Sequence, residues 1–338
     1  MKRLVVVALR RLLLLLVVLP AVSLITFTIS RVIPGDPVAL MAGPTATQKV
    51  RDDFRVAYGL DKPAPIQFLI YLSHLAHGDL GMSFRSGRSV AADFATYFPA
   101  TIELATAALV LGLPLALIGG VIAAANKDSL IDQFIRIAIG IGTSVPVFWF
   151  GILLILVFSA RFELLPSLGR LSIDTPIPPN VTGLYVVDSI LAHNGATLRD
   201  ALIHLVLPSF ALAISVVAPV ARITRASMLS TLRQDYVRTA RAKGLPRHLV
   251  IIRHAFPNAL LPIITSIGLV YGLLLGGAVV TETVFSWPGI GFYVTKSILS
   301  LDFQPTISFS LLSALVYVIV NMLVDMAYVV LDPRVQFG

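Results

Sequence analysis

The sequence predicts an all-α integral membrane protein of six transmembrane helices, and three observations carry that prediction. Of its 338 residues 57% are hydrophobic and 13% charged, with a mean hydropathy of +0.88. That composition leaves too little charge to cover a soluble surface. Apolar runs near the ~20 residues needed to cross a bilayer recur along the chain. The basic residues, which give a net charge of +8, gather at the ends of those runs, where the positive-inside rule puts them. The same placement explains the positive charge without nucleic acid, which is excluded as a partner. The chain has no Cys, so disulfides, Cys-based metal sites and thiol nucleophiles are excluded. Its His residues form no HExxH or comparable ligand spacing, and His74 and His77 lack a third ligand, so no metal site is expected.

The first run, Leu12 to Val32, follows Lys2, Arg3, Arg10 and Arg11. It exceeds a signal-peptide core and is read as an uncleaved anchor, residues 1–33, with its N-terminus inside. Residues 34–99 turn polar, open on the rigid turn Ile33-Pro34-Gly35-Asp36-Pro37, and are read as an extracytoplasmic segment. Within them, Ile66 to Leu75 has the spacing of a surface-lying amphipathic helix. The remaining residues, 100–338, are read as the core of the protein.

The second span is expected at about Thr101 to Ala125, with Glu103 in its first turn as a helix-dipole cap. The third, about Phe134 to Phe158, should kink at Pro146. Residues 161–200 form a second polar, Pro- and Gly-rich excursion. The fourth span, about Leu202 to Val220, is interrupted by Pro208 and Pro219. The fifth, about Leu260 to Val280, carries Gly268, Gly272, Gly276 and Gly277, small residues that permit close helix packing. A polar turn from Thr281 to Gly291 then puts Trp287 at interface depth, and a short amphipathic stretch surrounds Lys296. The sixth span, about Ile307 to Leu331, holds Asn321 and Asp325 four residues apart on one face. An even number of spans puts both termini on the cytoplasmic side, together with residues 126–132 and 222–253.

The segment 222–260 is the most distinctive. Arg222, Arg225, Arg233, Arg238, Arg241, Lys243, Arg247 and Arg253 stand against a single acid, Asp235. It cannot cross a bilayer, since a central Arg or Lys is disfavoured by roughly 3 kcal/mol. The stretch Asp235 to Leu245 reads as a helix of good formers that stops at Gly244, with Pro246 just beyond. A second helical piece, Arg247 to Phe256, leads to Pro257. The result is a basic helix-turn-helix held out by two spans. It is either a solvated loop obeying the charge rule or a knob that receives a rigid-body motion from a soluble partner.

No GxxxxGK[ST] phosphate loop occurs, and Gly142-Thr143-Ser144, which places a Ser near a span, is not read as a nucleophile. Uphill transport would draw on an ion gradient or on a separate ATPase. A gradient-driven carrier needs mid-membrane ionisable groups, and here the only mid-span acid is Asp325, near the cytoplasmic end of the last helix. Glu282, Asn321 and Asp325 are the candidates for lining a passage, each equally able to serve as a structural partner of a neighbouring helix.

Arg238-Thr239-Ala240-Arg241-Ala242-Lys243-Gly244 through His254-Ala255-Phe256-Pro257 resembles the EAA loop of ABC importer permeases. Ala240 and Gly244 stand at the pattern's Ala and Gly, while Arg238, Thr239 and His254 depart from it. Tyr236 to Leu245, Ile33 to Pro37, His77-Gly78-Asp79-Leu80-Gly81 and Thr281 to Gly291 are similar to the dipeptide/oligopeptide/nickel branch, a resemblance that runs to Asp332-Pro333-Arg334.

The resemblance implies a type I ABC importer permease (MetI-like) fold in a bacterial cytoplasmic membrane. Its implied partners are a second homologous permease subunit, two cytoplasmic ATPase subunits, an extracytoplasmic substrate-binding protein and membrane lipid. It assigns coupling to the ATPase to Asp235, Arg238, Ala240, Arg241, Lys243, Gly244 and Pro257. It also implies that the chain itself is no enzyme and carries no cofactor, ATP being bound by the partners. Dipeptides or short oligopeptides are the expected cargo, with nickel chelates, glutathione or heme as alternatives in the same machinery. A gradient-driven carrier and a membrane-embedded hydrolase remain as readings of another class.

Overall fold

A computed structural model describes residues 2–32, 47–57, 61–83, 85–300 and 302–331. The exit turn at 33–37, residues 59–60 and the tail at 332–334 lie outside the described residues. Among those described, the elements are helices, with one isolated antiparallel bridge between Met82 and Ser89.

Helix α1 (Lys2–Val32) contains the apolar stretch Leu9–Thr28 and is followed by the short α2 (Gln48–Ala57) and α3 (Ala64–Ala76). The surface helix expected at 66–75 is α3, and it rests on α1 through Phe27, whose ring lies 5.4 Å from Phe68 and 6.1 Å from Tyr71. Two helices form the backbone of the bundle: α4 (Val90–Ala125) and α8 (Gly195–Thr231), of 36 and 37 residues. At 1.5 Å per residue each is ~55 Å long, well beyond the ~30 Å hydrocarbon layer, so both project from it. They approach closely because small residues recur every fourth position of α4, at Ala108, Gly112, Ala116, Gly120 and Ala124, all buried. A Cβ added at Gly120 would sit 2.8 Å from the Ala221 carbonyl oxygen, and one at Gly112 would sit 3.0 Å from that of Ala213. Opposite them lie Val216, Val220, Thr224 and Met228 of α8, also buried.

Two proline expectations are corrected. Pro146 does not kink one span: α5 (Leu130–Ser144) ends and α6 (Val147–Leu154) begins, with a 94° bend, and α6 continues in π-helical form over Ile155–Arg161. The carbonyl of Gly142 would pair with the N–H of residue 146, and proline has none, so the helix stops there. Conversely, Pro208 and Pro219 do not interrupt α8. Pro208 is buried inside the bundle, where packing against neighbouring helices offsets the lost hydrogen bond.

Helix α7 (Tyr185–Leu191) belongs to the 161–200 excursion, and α9 (Asp235–Ala242) to the basic segment. The turn Arg247–Leu249 and a π-helical stretch, Val250–Ala255, lead into α10 (Phe256–Gly277). Then come α11 (Val279–Val284), α12 (Ile290–Leu299) and α13 (Phe303–Leu331). Gly268, Gly272 and Gly276 of α10 face Val324, Val320 and Ser313 of α13, the close packing that their spacing foretells. Thr281 to Gly291 is not a polar turn at an interface: its first part is helical, and Trp287 is buried in the core. Among the described residues five helices are long and apolar enough to cross a membrane, and the bent pair α5–α6 makes a sixth crossing if taken as one broken span.

Candidate functional site

At one end of the bundle the basic segment is a formed knob. Helix α9 ends at Ala242, and Gly244 at φ +76° lets the chain reverse, with open space where a Cβ would stand. Val237 and Ala240 turn inward and pack on Val250 and Leu232. Ala240 therefore shapes the knob from within. Arg238, Arg241 and Lys243 are exposed, and the exposed Asp235–Arg238 pair is loose at 3.6 Å. Burial holds the Tyr236 hydroxyl above its usual pKa. Pro257 stands in the first turn of α10, directly after the π-helical stretch Val250–Ala255.

The knob is anchored at its root. Arg247 donates to the Ala125 carbonyl and to Asn126 Oδ1, fastening it to the end of α4. Arg225, near the end of α8, donates to Asp132 at 2.7 and 2.6 Å, and Asp132 is fully buried at the start of α5. The paired geometry of this ion pair fixes orientation as well as distance. Between α9 and the α4–α5 corner lies a cavity of about 400 Å³ lined by Arg241, Leu245, Arg247 and Val250.

The three expected passage residues are not brought together. Glu282 is fully buried: it accepts from the Thr101 hydroxyl at 2.6 Å and from the Phe292 N–H at 3.0 Å. It faces protein on all sides in this chain, as a structural partner of neighbouring helices does. Asp325 pairs with Arg11 of α1 at 2.6 Å, and Asn321 donates to the Tyr317 carbonyl of its own helix. Glu103 is no helix cap, since α4 begins thirteen residues earlier at Val90. It is buried and holds Arg170 at 2.6 Å. Among the described residues no group of three or more His, Asp or Glu is placed to hold a metal ion.

The family described as binding-protein-dependent transport system inner membrane component matches residues 116–337, and its N-terminal membrane component counterpart matches residues 1–105. The chain belongs to this family. Three relatives of this inner membrane component span nearly its whole length. The probable D,D-dipeptide transport system permease protein DdpB of Escherichia coli is 44% identical over 324 residues, 96% of this chain and 95% of the relative. The di/tripeptide transport system permease protein DppB of Pseudomonas aeruginosa is 42% identical, covering 97% of each. The dipeptide transport system permease protein DppB of Escherichia coli is 40% identical, covering 97% of this chain and 98% of the relative.

Within this inner membrane component, sequence reading overlooked Asp132–Arg225 and Glu103–Arg170. Their partners lie 93 and 67 residues apart in sequence, so no local spacing joins them. The available signal was the rarity of acids beside apolar runs, since an ionisable group there must find a partner.

Proposed function

We propose that this chain is the permease subunit of an ATP-driven importer of dipeptides or short oligopeptides. It pairs with a second, homologous permease subunit above two cytoplasmic ATPase subunits, and an extracytoplasmic binding protein delivers the peptide. The observation that carries this reading is the knob 235–257: a basic helix exposed to solvent but anchored by Arg247 and, through Arg225, by Asp132 to the α4–α5 corner. A merely solvated loop needs no such root. Force applied to α9 passes into α4, α5 and α8, which suits coupling to a soluble ATPase. Arg238, Arg241 and Lys243 present the charge that meets the ATPase, with Asp235 at the start of the helix. Gly244 sets the turn, Ala240 keeps the helix seated, and Pro257 starts the following span. The names of the relatives point to the peptide cargo.

In this reading the knob, residues 126–132 and both termini are cytoplasmic, and 161–200 is extracytoplasmic. Hydrolysis takes place on the partner subunits, so the permease holds no nucleotide and performs no chemistry of its own. The test is uptake of a labelled dipeptide into vesicles holding the reconstituted complex and its binding protein. Uptake that requires ATP and survives an uncoupler is the expected result. Uptake that survives ATP depletion and is abolished by an uncoupler overturns it in favour of a gradient-driven carrier.

A further inference from the structure

Three residues within one turn of α4, Ala100, Thr101 and Glu103, hold two separate parts of the chain by buried polar bonds. On one side Glu103 takes two donors from the excursion 161–200: Arg170 at 2.6 Å and the Val186 N–H at 2.8 Å. Arg170, 6% exposed, also donates to the Gly183 carbonyl and stacks on Tyr185 with its guanidinium 3.5 Å from the ring centre. On the other side the Ala100 carbonyl accepts from Trp287 Nε1 at 2.8 Å. The Thr101 hydroxyl donates to Glu282 and accepts from the Ile290 N–H at 2.9 Å. The two parts also meet directly, since the Gly169 N–H donates to the Phe285 carbonyl at 3.0 Å and Arg170 lies 5.6 Å from the Trp287 ring. Excursion, α4 and the α11–α12 corner thus form a closed triangle.

Stability alone does not account for the charge at its centre. A buried ion pair is often no more stabilising than apolar residues of the same volume. Here, moreover, Arg170 Nε is buried with no hydrogen-bond partner among the described residues, a further penalty. What a fixed pair supplies is orientation. Below the triangle, α4 runs against α8 along the small-residue positions from Ala108 to Ala124, and α8 leads at Thr231 into the basic knob.

We propose that Arg170 and Glu103 are positioning residues. They lock the excursion, the outer end of α4 and the α11–α12 corner into one body, through which contact with the binding protein is passed to α4 and α8. The proposal rests on the reading of this chain as a permease coupled to an ATPase and a binding protein. In the assembled complex, ATP hydrolysis is measured against binding-protein concentration for the native chain, Arg170→Lys, Glu103→Gln and the exchange Arg170→Glu/Glu103→Arg.

The expected result is basal hydrolysis within about twofold of native, at least a fivefold loss of the stimulated increment in each single variant, and partial recovery in the exchange. Unchanged stimulation in an assembled Arg170→Lys complex overturns the proposal and leaves the pair a structural tie. A second measurement needs no variant: hydrogen exchange in the native complex on adding binding protein. Residues 165–187 and 98–103 should change protection together, and a change confined to one of them overturns the proposal. A native complex whose hydrolysis ignores the binding protein would instead contradict the underlying reading of function.

Discussion

The two ends of the bundle use charge in opposite ways. At the knob, Arg238, Arg241 and Lys243 reach into solvent, Asp235 and Arg238 are barely paired, and at the root the buried Asp132 pairs with Arg225. At the other end the acids Glu103, Asp188 and Glu282 are all buried and each accepts two or more hydrogen bonds. Exposed charge costs little to hold and stays available to a partner. Buried charge is costly unless fully bonded, and once bonded it fixes geometry. The contrast separates a surface made to be met from a body made not to deform.

The comparison breaks most easily at the buried end. Arg170→Ala leaves Glu103 an uncompensated buried charge and is expected to destabilise the folded chain by about 3–5 kcal/mol, measurable as a lowered thermal midpoint of the purified complex. Replacing Gly120 by Val should cost about 1–3 kcal/mol, since α4 would be pushed off the Ala221 carbonyl and Thr224. Gly183→Ala combines a φ of +78° with a Cβ placed 2.9 Å from Pro99, and about 1–3 kcal/mol is expected, with protease sensitivity appearing first at 161–200.

A smaller effect sharpens the contrast through pH. Burial raises the Asp188 pKa, but bonds from the Thr182 hydroxyl and the N–H groups of Thr182 and Gly183 outweigh it, so the net shift is downward. A depressed carboxylate stabilises above its unfolded pKa. The contribution is present at neutral pH and lost as pH falls below about 4, the ordinary aspartate value. Hydrogen-exchange protection at 182–188 should fall in that range. The smallest expected change in stability is Arg238→Ala, within about 0.5 kcal/mol, although peptide uptake should fall several-fold.

Much of this was legible in the sequence because it is local. The apolar runs gave the long helices, and the stop at Gly244 with Pro246 gave the end of α9 within two residues. The spacing of Gly268, Gly272 and Gly276 gave a close-packed face. The four-residue period at 108–124 was equally present in the sequence and marks the more extensive contact, between α4 and α8. What could not be read was whether a proline breaks or merely occupies a helix. Pro146 and Pro208 look alike in sequence, and their surroundings decide. Nor could Glu103 be assigned, since its role depends on Arg170 folding back over it across an excursion with no helical period.

The most direct test of the central claim is ATP-dependent uptake of a labelled dipeptide by the reconstituted complex, with the native chain compared with Gly244→Asp. Gly244 sits at a positive φ in open space, so a charged side chain there disturbs the exposed turn without meeting the core. If the knob couples hydrolysis to transport, uptake collapses while the chain remains inserted and folded. If uptake is unchanged, the knob is a solvated loop and the coupling assigned to residues 235–257 is contradicted.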